Sequence, residues 1–143
     1  WVGVVARLEG DEVSARAAFT KARTKLEEEG RVNPDGMDLL SRLGLIDAAL
    51  GRKEEALNEG RRAMQLAPSV KDSGAESESY VKQSFAIICA WTGERELALE
   101  QLEALAKAPG YHTYGNLRLS PLWDPLRGDP RFEKIVASLA PKE

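Results

Sequence analysis

The sequence predicts an all-α fold of antiparallel helical hairpins, closed by C-terminal capping helices. Three observations predict it. Apolar helical patterns are broken at Gly10, Gly51 and Gly93, which stand 41 and 42 residues apart. An alanine follows each glycine by five residues, as Ala15, Ala56 and Ala98. A proline-rich tail then carries two helix-start signatures. Recurrence at a spacing of this size marks a helical repeat array.

The middle hairpin shows the layout most fully. An apolar helical pattern runs through Leu43-Gly44 to Leu50 and stops at Gly51. Glycine tolerates the left-handed conformation that ends a helix. A second pattern starts at about Lys53 and passes through Ala56, Leu57, Gly60, Ala63 and Met64, with Pro68 just past its end. So short a turn forces the two helices antiparallel. A small residue at position 56 lets them approach closely. The first hairpin repeats this as Gly10 to Ala15, then Phe19 and Ala22, but it lacks the start of its first helix. Its second helix is expected to run long, through Thr24-Lys25-Leu26. The third hairpin is centred on Gly93 and Ala98-Leu99, followed by Leu102 and Leu105. Segments 28–36 and 67–76, rich in Gly, Pro, Ser, Asp and Glu, read as linkers. The three hairpins fill residues 1–109.

Residues 110–143 are a different unit. Tyr111 to Gly115 reads as a loop. Ser120-Pro121 and Asp129-Pro130 each pair an N-cap oxygen with a proline at the first helical position, where its missing N–H costs nothing. Asp124-Pro125 reads as a break or a further short turn. Phe132, Ile135, Val136 and Leu139 form one apolar stripe. The last hairpin of an array exposes an apolar face that must be covered. Trp123, Leu126, Phe132 and Ile135 are suited to cover it. Arg127 and Arg131 are placed to cap helix carbonyls or to pair with Asp124 and Asp129.

Composition narrows the function. The 20 basic and 23 acidic residues of the 143 leave a net charge of −3. No basic stripe for nucleic acid is present, and no apolar run approaches the ~20 residues of a membrane span. One cysteine, Cys89, in the apolar run Phe85–Trp91, is read as an inert core thiol. One histidine, His112, leaves too few soft ligands for zinc. There is no phosphate-binding glycine loop. No Asp/Glu pair falls in an apolar context that would raise a pKa. No enzyme signature and no cofactor are therefore expected. The chain opens at Trp1 inside an apolar pattern and is expected to be a segment of a longer protein.

Leu43-Gly44, Gly51, Ala56, Ala63 and Pro68 resemble the tetratricopeptide repeat. Val2-Gly3 and Phe85-Ala86 stand in for Leu-Gly in the flanking repeats. The family repeats about every 34 residues, and the extra length here fits the linkers. The resemblance implies a short right-handed α-α superhelix, or solenoid, acting as a scaffold. Its concave face would be lined by the first helix of each repeat. That assigns partner contacts to Asp38, Ser41, Arg42, Leu45, Tyr80, Gln83, Ile87 and Trp91, with Val4, Arg7, Leu8, Ala49 and Ser84 beside them. Members that grip a peptide C-terminus use Lys, Asn and Arg at these places. Only Arg42 is basic here, so an apolar or aromatic anchor suits this face better. The bland alternative is that Tyr80, Ile87 and Trp91 simply pack against the tail.

Leu119–Leu139 is similar to the segment that closes such regions in large bacterial signalling proteins, of serine/threonine kinase, adenylate cyclase and winged-helix regulator types. The implied role is a non-catalytic protein- or peptide-binding module in signal transduction, without nucleic acid or membrane contact. The implied compartment is the cytoplasm, or the periplasm if the parent carries a transmembrane segment. The competing expectation is a self-associating homo-oligomer or an intramolecular spacer with no external ligand.

Overall fold

The computed structural model describes residues 1–32, 36–67, 75–107 and 113–141. Among these, all regular structure is helical. The elements are α1 (Val2–Leu8), α2 (Glu12–Gly30), α3 (Met37–Ala49), α4 (Lys53–Leu66), α5 (Ala75–Trp91), α6 (Arg95–Ala106), α7 (Tyr114–Leu119), a 3-10 helix (Pro121–Leu126) and α8 (Pro130–Ser138).

The three turn glycines behave alike. Gly10, Gly51 and Gly93 have φ of 78°, 78° and 84°, where any side chain would be strained. Around Gly51, its own N–H donates to Ala48 O at 3.2 Å and the Arg52 N–H to Asp47 O at 2.8 Å. The same pair of bonds recurs at Gly10 and at Gly93. Each turn thus satisfies carbonyls at a helix end and reverses the chain at once. Only the first receives a side-chain cap on its second helix, from Asp11 to the Ser14 N–H at 2.9 Å.

The hairpins α1–α2, α3–α4 and α5–α6 pack internally, and neighbours meet through α2–α3, α3–α5 and α4–α5. Ala15, Ala56 and Ala98 are all buried. Gly44 sets a close approach of the two helices in the second hairpin. A Cβ there would lie 2.7 Å from Ile88 Cδ1 and 3.1 Å from the Ala56 carbonyl oxygen. The backbone oxygen cannot swing away, so Gly44→Val is expected to cost about 1–3 kcal/mol. Urea unfolding checks this, and a loss within about 0.5 kcal/mol, as at an ordinary surface site, would contradict the tight fit.

α2 has 19 residues against 14 and 12 for α4 and α6, which meets the expectation of a long helix. It runs into the segment read as a linker, since Glu28–Gly30 are helical. Likewise α5 begins at Ala75, inside the second linker. Pro68, Pro109, Tyr111 and His112 lie outside the described residues. The loop reading of Tyr114 and Gly115 is corrected. Both belong to α7, because the Thr113 side chain caps the Asn116 N–H and Leu117 is buried.

The two predicted helix starts are present. Ser120 accepts from the Leu122 N–H at the head of the 3-10 helix. Asp129 accepts from the Arg131 and Phe132 N–H groups at the head of α8. Pro125 lies within the 3-10 helix and does not break it. Leu117, Trp123, Leu126, Phe132, Ile135 and Val136 share one continuous core with the second and third hairpins. The 3-10 helix packs on α5, and α8 on α6 and α7.

The tail arginines divide their work. Arg127 pairs with Asp124 at 2.6 Å and donates to Ser120 O at 3.0 Å, as expected. Arg131 does not pair with Asp129. It reaches Glu96 at 2.6 Å and Glu103 at 3.1 Å on α6, clamping α8 to the last hairpin. Asp129 is met by Arg95 at 3.2 Å. The helix-cap N–H of Arg131, then Arg95, hold its carboxyl below the usual range.

Candidate functional site

A cavity of about 350 Å³ opens between α3 and α5. Helical spacing builds it. Leu45 and Ala49 lie four apart on α3, and Tyr80, Gln83, Ile87 and Trp91 follow the 3- and 4-residue steps of one face of α5. Ile46 and Ser84 widen the same faces, Val4 and Phe19 close it from the first hairpin, and Leu122 closes it from the tail. The lining is mostly apolar, and its size falls at the small end of ligand sites. A second space of about 200 Å³ shares Val4 and Trp91 with it and is lined also by Arg7, Leu8, Pro121, Asp124 and Pro125.

Five of the eight residues assigned to a partner surface therefore line one space: Leu45, Tyr80, Gln83, Ile87 and Trp91. Ile87 forms its floor, being only 6 % exposed and part of the core. Trp91 does touch the tail, donating its indole N–H to Leu122 O at 2.8 Å. Tyr80 stands half open at the mouth. Burial, then the charge of Asp38, raises its phenol above the ordinary value, so it stays neutral.

Asp38, Ser41 and Arg42 are not part of the cavity lining. Ser41 is 1 % exposed and donates its hydroxyl to Met37 O at 2.9 Å, so it is closed to a partner. Arg42 lies 3.5 Å from Asp38 and 3.6 Å from Glu29, in a surface ion-pair group outside the cavity lining whose charges still reach Tyr80. Arg7, placed on the groove by sequence, lines the smaller space. Its guanidinium donates to Ala49 O at 2.7 Å and lies 4.9 Å over the Trp91 ring and 5.8 Å over Phe19. It ties the first hairpin to α3 and α5 and holds the aromatic wall in place.

Trp1, Phe19, Ile46 and Leu122 were missed as lining residues. Trp1, Phe19 and Leu122 lie outside the first helices of the hairpins, so helical period alone does not assign them to this face. Cys89 is fully buried, and burial pushes its thiol up to about 12.

One sequence expectation is overturned. Asp47 and Glu59 do form an acidic pair inside the second hairpin. Asp47 is 0 % exposed and is held by Arg23 of α2, Nε to Oδ1 at 2.7 Å. Burial first, then the Asp47 charge, pushes Glu59 up to about 7. Sequence alone does not reveal the pair, because its cation stands 24 residues away on another helix.

Among the described residues no group of three or more His, Cys, Asp or Glu converges as for a metal ion. No described helix is long and apolar enough to cross a membrane. Comparison with family models, curated proteins and solved structures finds no significant match to this chain.

Proposed function

We propose that the chain is a non-catalytic protein-interaction module, taking a short partner segment by an apolar or aromatic side chain in the α3–α5 cavity. The observation that carries this reading is the 350 Å³ space walled by Leu45, Tyr80, Ile87 and Trp91. Aromatic and aliphatic walls with a few polar groups at the mouth suit an anchor residue, which supplies most of the energy at such contacts. In this reading the polar groups of Gln83 and Tyr80, both in the lining, meet the main chain beside it. A tetratricopeptide-like stack fits this reading, supported by three like glycine turns and the order in which the helices touch; a bacterial signalling parent is proposed from the tail's resemblance alone.

Peptides of varied anchor are expected to bind in the order aromatic, then branched aliphatic, then polar, followed by Trp91 fluorescence. Leu45 is partly exposed at the wall, so Leu45→Asp is expected to weaken binding at least tenfold with little loss of helicity. Unchanged affinity, or a collapse of the melting transition, would remove Leu45 from the site.

A second reading is self-association. Trp1, Val2, Val5, Leu8 and Val13 are all exposed on the first hairpin, and exposed apolar groups that form one patch favour contact. Mass that rises with concentration in sedimentation, and falls with Val5→Glu, would favour it.

A further inference from the structure

We propose that Glu59 and Asp47 hold one proton between them inside the second hairpin, so that the seating of α4 on α3 loosens when that proton is lost. Asp47 lies on the face of α3 turned away from solvent. Arg23 grips both its oxygens, Nε to Oδ1 at 2.7 Å and Nη2 to Oδ2 at 3.2 Å. The remaining Arg23 nitrogen, Nη1, goes to Glu27 on the same helix. Arg52, at the turn, stands 3.9 Å from Asp47 Oδ1, too far for a hydrogen bond. One guanidinium is thus divided between Asp47 and Glu27.

Glu59 enters this group from α4. Its Oε2 is buried and meets no hydrogen-bond donor. A buried carboxylate oxygen without a donor carries its full desolvation penalty. The neighbouring Asp47 charge adds repulsion. A proton on Glu59 removes both difficulties, because its O–H then donates to Asp47. The other charges around it are Glu55 on α4 and Arg23 on α2. Arg23 acts the opposite way and favours the ionised form. α5 contributes apolar Phe85 and Ile88 at the adjoining Gly60. Burial is the largest influence, and it places Glu59 at about 7 against an ordinary 4.5.

The folded form binds the Glu59 proton more tightly than the unfolded chain does. Its contribution to stability is fully present below about 4.5 and is lost as pH rises through about 7. Most native carboxylates act in the other direction. α3 also carries Leu45, Ile46 and Ala49 on its cavity side, so a change in how α3 seats moves one wall of that space.

The test compares melting temperature from pH 5 to pH 8 in the intact chain and in Glu59→Gln. The glutamine amide keeps a donor toward Asp47 but cannot ionise. The wild type is expected to lose several degrees across this range, and the variant to stay nearly level. Parallel profiles would overturn the proposal. A carboxyl carbon NMR titration of the wild type decides independently of whether the variant folds. A Glu59 midpoint near 7 is expected, and one below 5 overturns the shared proton.

Discussion

Trp123→Ala is expected to lower the unfolding free energy by about 3–5 kcal/mol, the usual range for a large core aromatic. Trp123 is 0 % exposed, although it sits in a six-residue 3-10 helix with little helical stability of its own. Its ring fills the centre of a core that joins Ala86 and Ile88 of α5 to Leu117, Leu126 and Phe132 of the tail. The ring also pins Asn116, whose Oδ1 accepts from its indole N–H at 3.4 Å. Alanine would leave a cavity that this short, proline-fixed segment cannot collapse to fill. Truncation before Leu117 should act more strongly. It removes Leu117, Trp123, Leu126, Phe132, Ile135 and Val136 together, at about 1.5–3 kcal/mol for each large side chain. A small domain has only about 5–15 kcal/mol in total, so the truncated chain is expected to lose cooperative unfolding. Urea denaturation followed by far-ultraviolet dichroism measures both. A Trp123→Ala loss below about 1 kcal/mol, the ordinary cost of a point change, would mean that the tail is an appendage and not core.

Much of this arrangement was legible because it rests on local chemistry. The helix-ending glycines announce themselves, since few residues tolerate φ near 78°. Asp129 and Ser120 mark helix starts because a short oxygen-bearing side chain before proline does little else. Leu45, Tyr80, Gln83, Ile87 and Trp91 share a cavity because helical period alone places them on facing sides. Ser41 obeys the same period yet is sealed at 1 % exposure, and its hydroxyl finds the Met37 carbonyl of its own helix. α7 was hidden by the glycine and proline residues around it. Its existence depends on burying Leu117 against elements distant in sequence. Asp47 was the hardest to read. Nothing local distinguishes it from a solvent-facing acid in Ile46-Asp47-Ala48. Only the folded chain brings Arg23 to it.

That dependence makes Arg23 the second site of large effect. Arg23→Met is expected to cost about 3–5 kcal/mol, because removing one member of a buried ion pair strands the other. The stranded group would be Asp47, at 0 % exposure, with Glu59 beside it and Arg52 Nε 3.9 Å away. The pair itself need not stabilise the fold by that amount. Replacing both members with apolar groups often restores stability, since neither charge then has to leave water. Arg23→Met with Asp47→Leu is therefore expected to recover most of the loss. A double-mutant cycle separates these terms. A coupling within a few tenths of a kcal/mol would place Arg23 among ordinary surface ion pairs, whose worth is about 0–1 kcal/mol. The single Arg23→Met change carries one more signature. Arg23 is the charge that favours ionised Glu59, so its loss should raise the Glu59 midpoint further. A midpoint that moves down would mean that Arg23 and Glu59 do not share this interior.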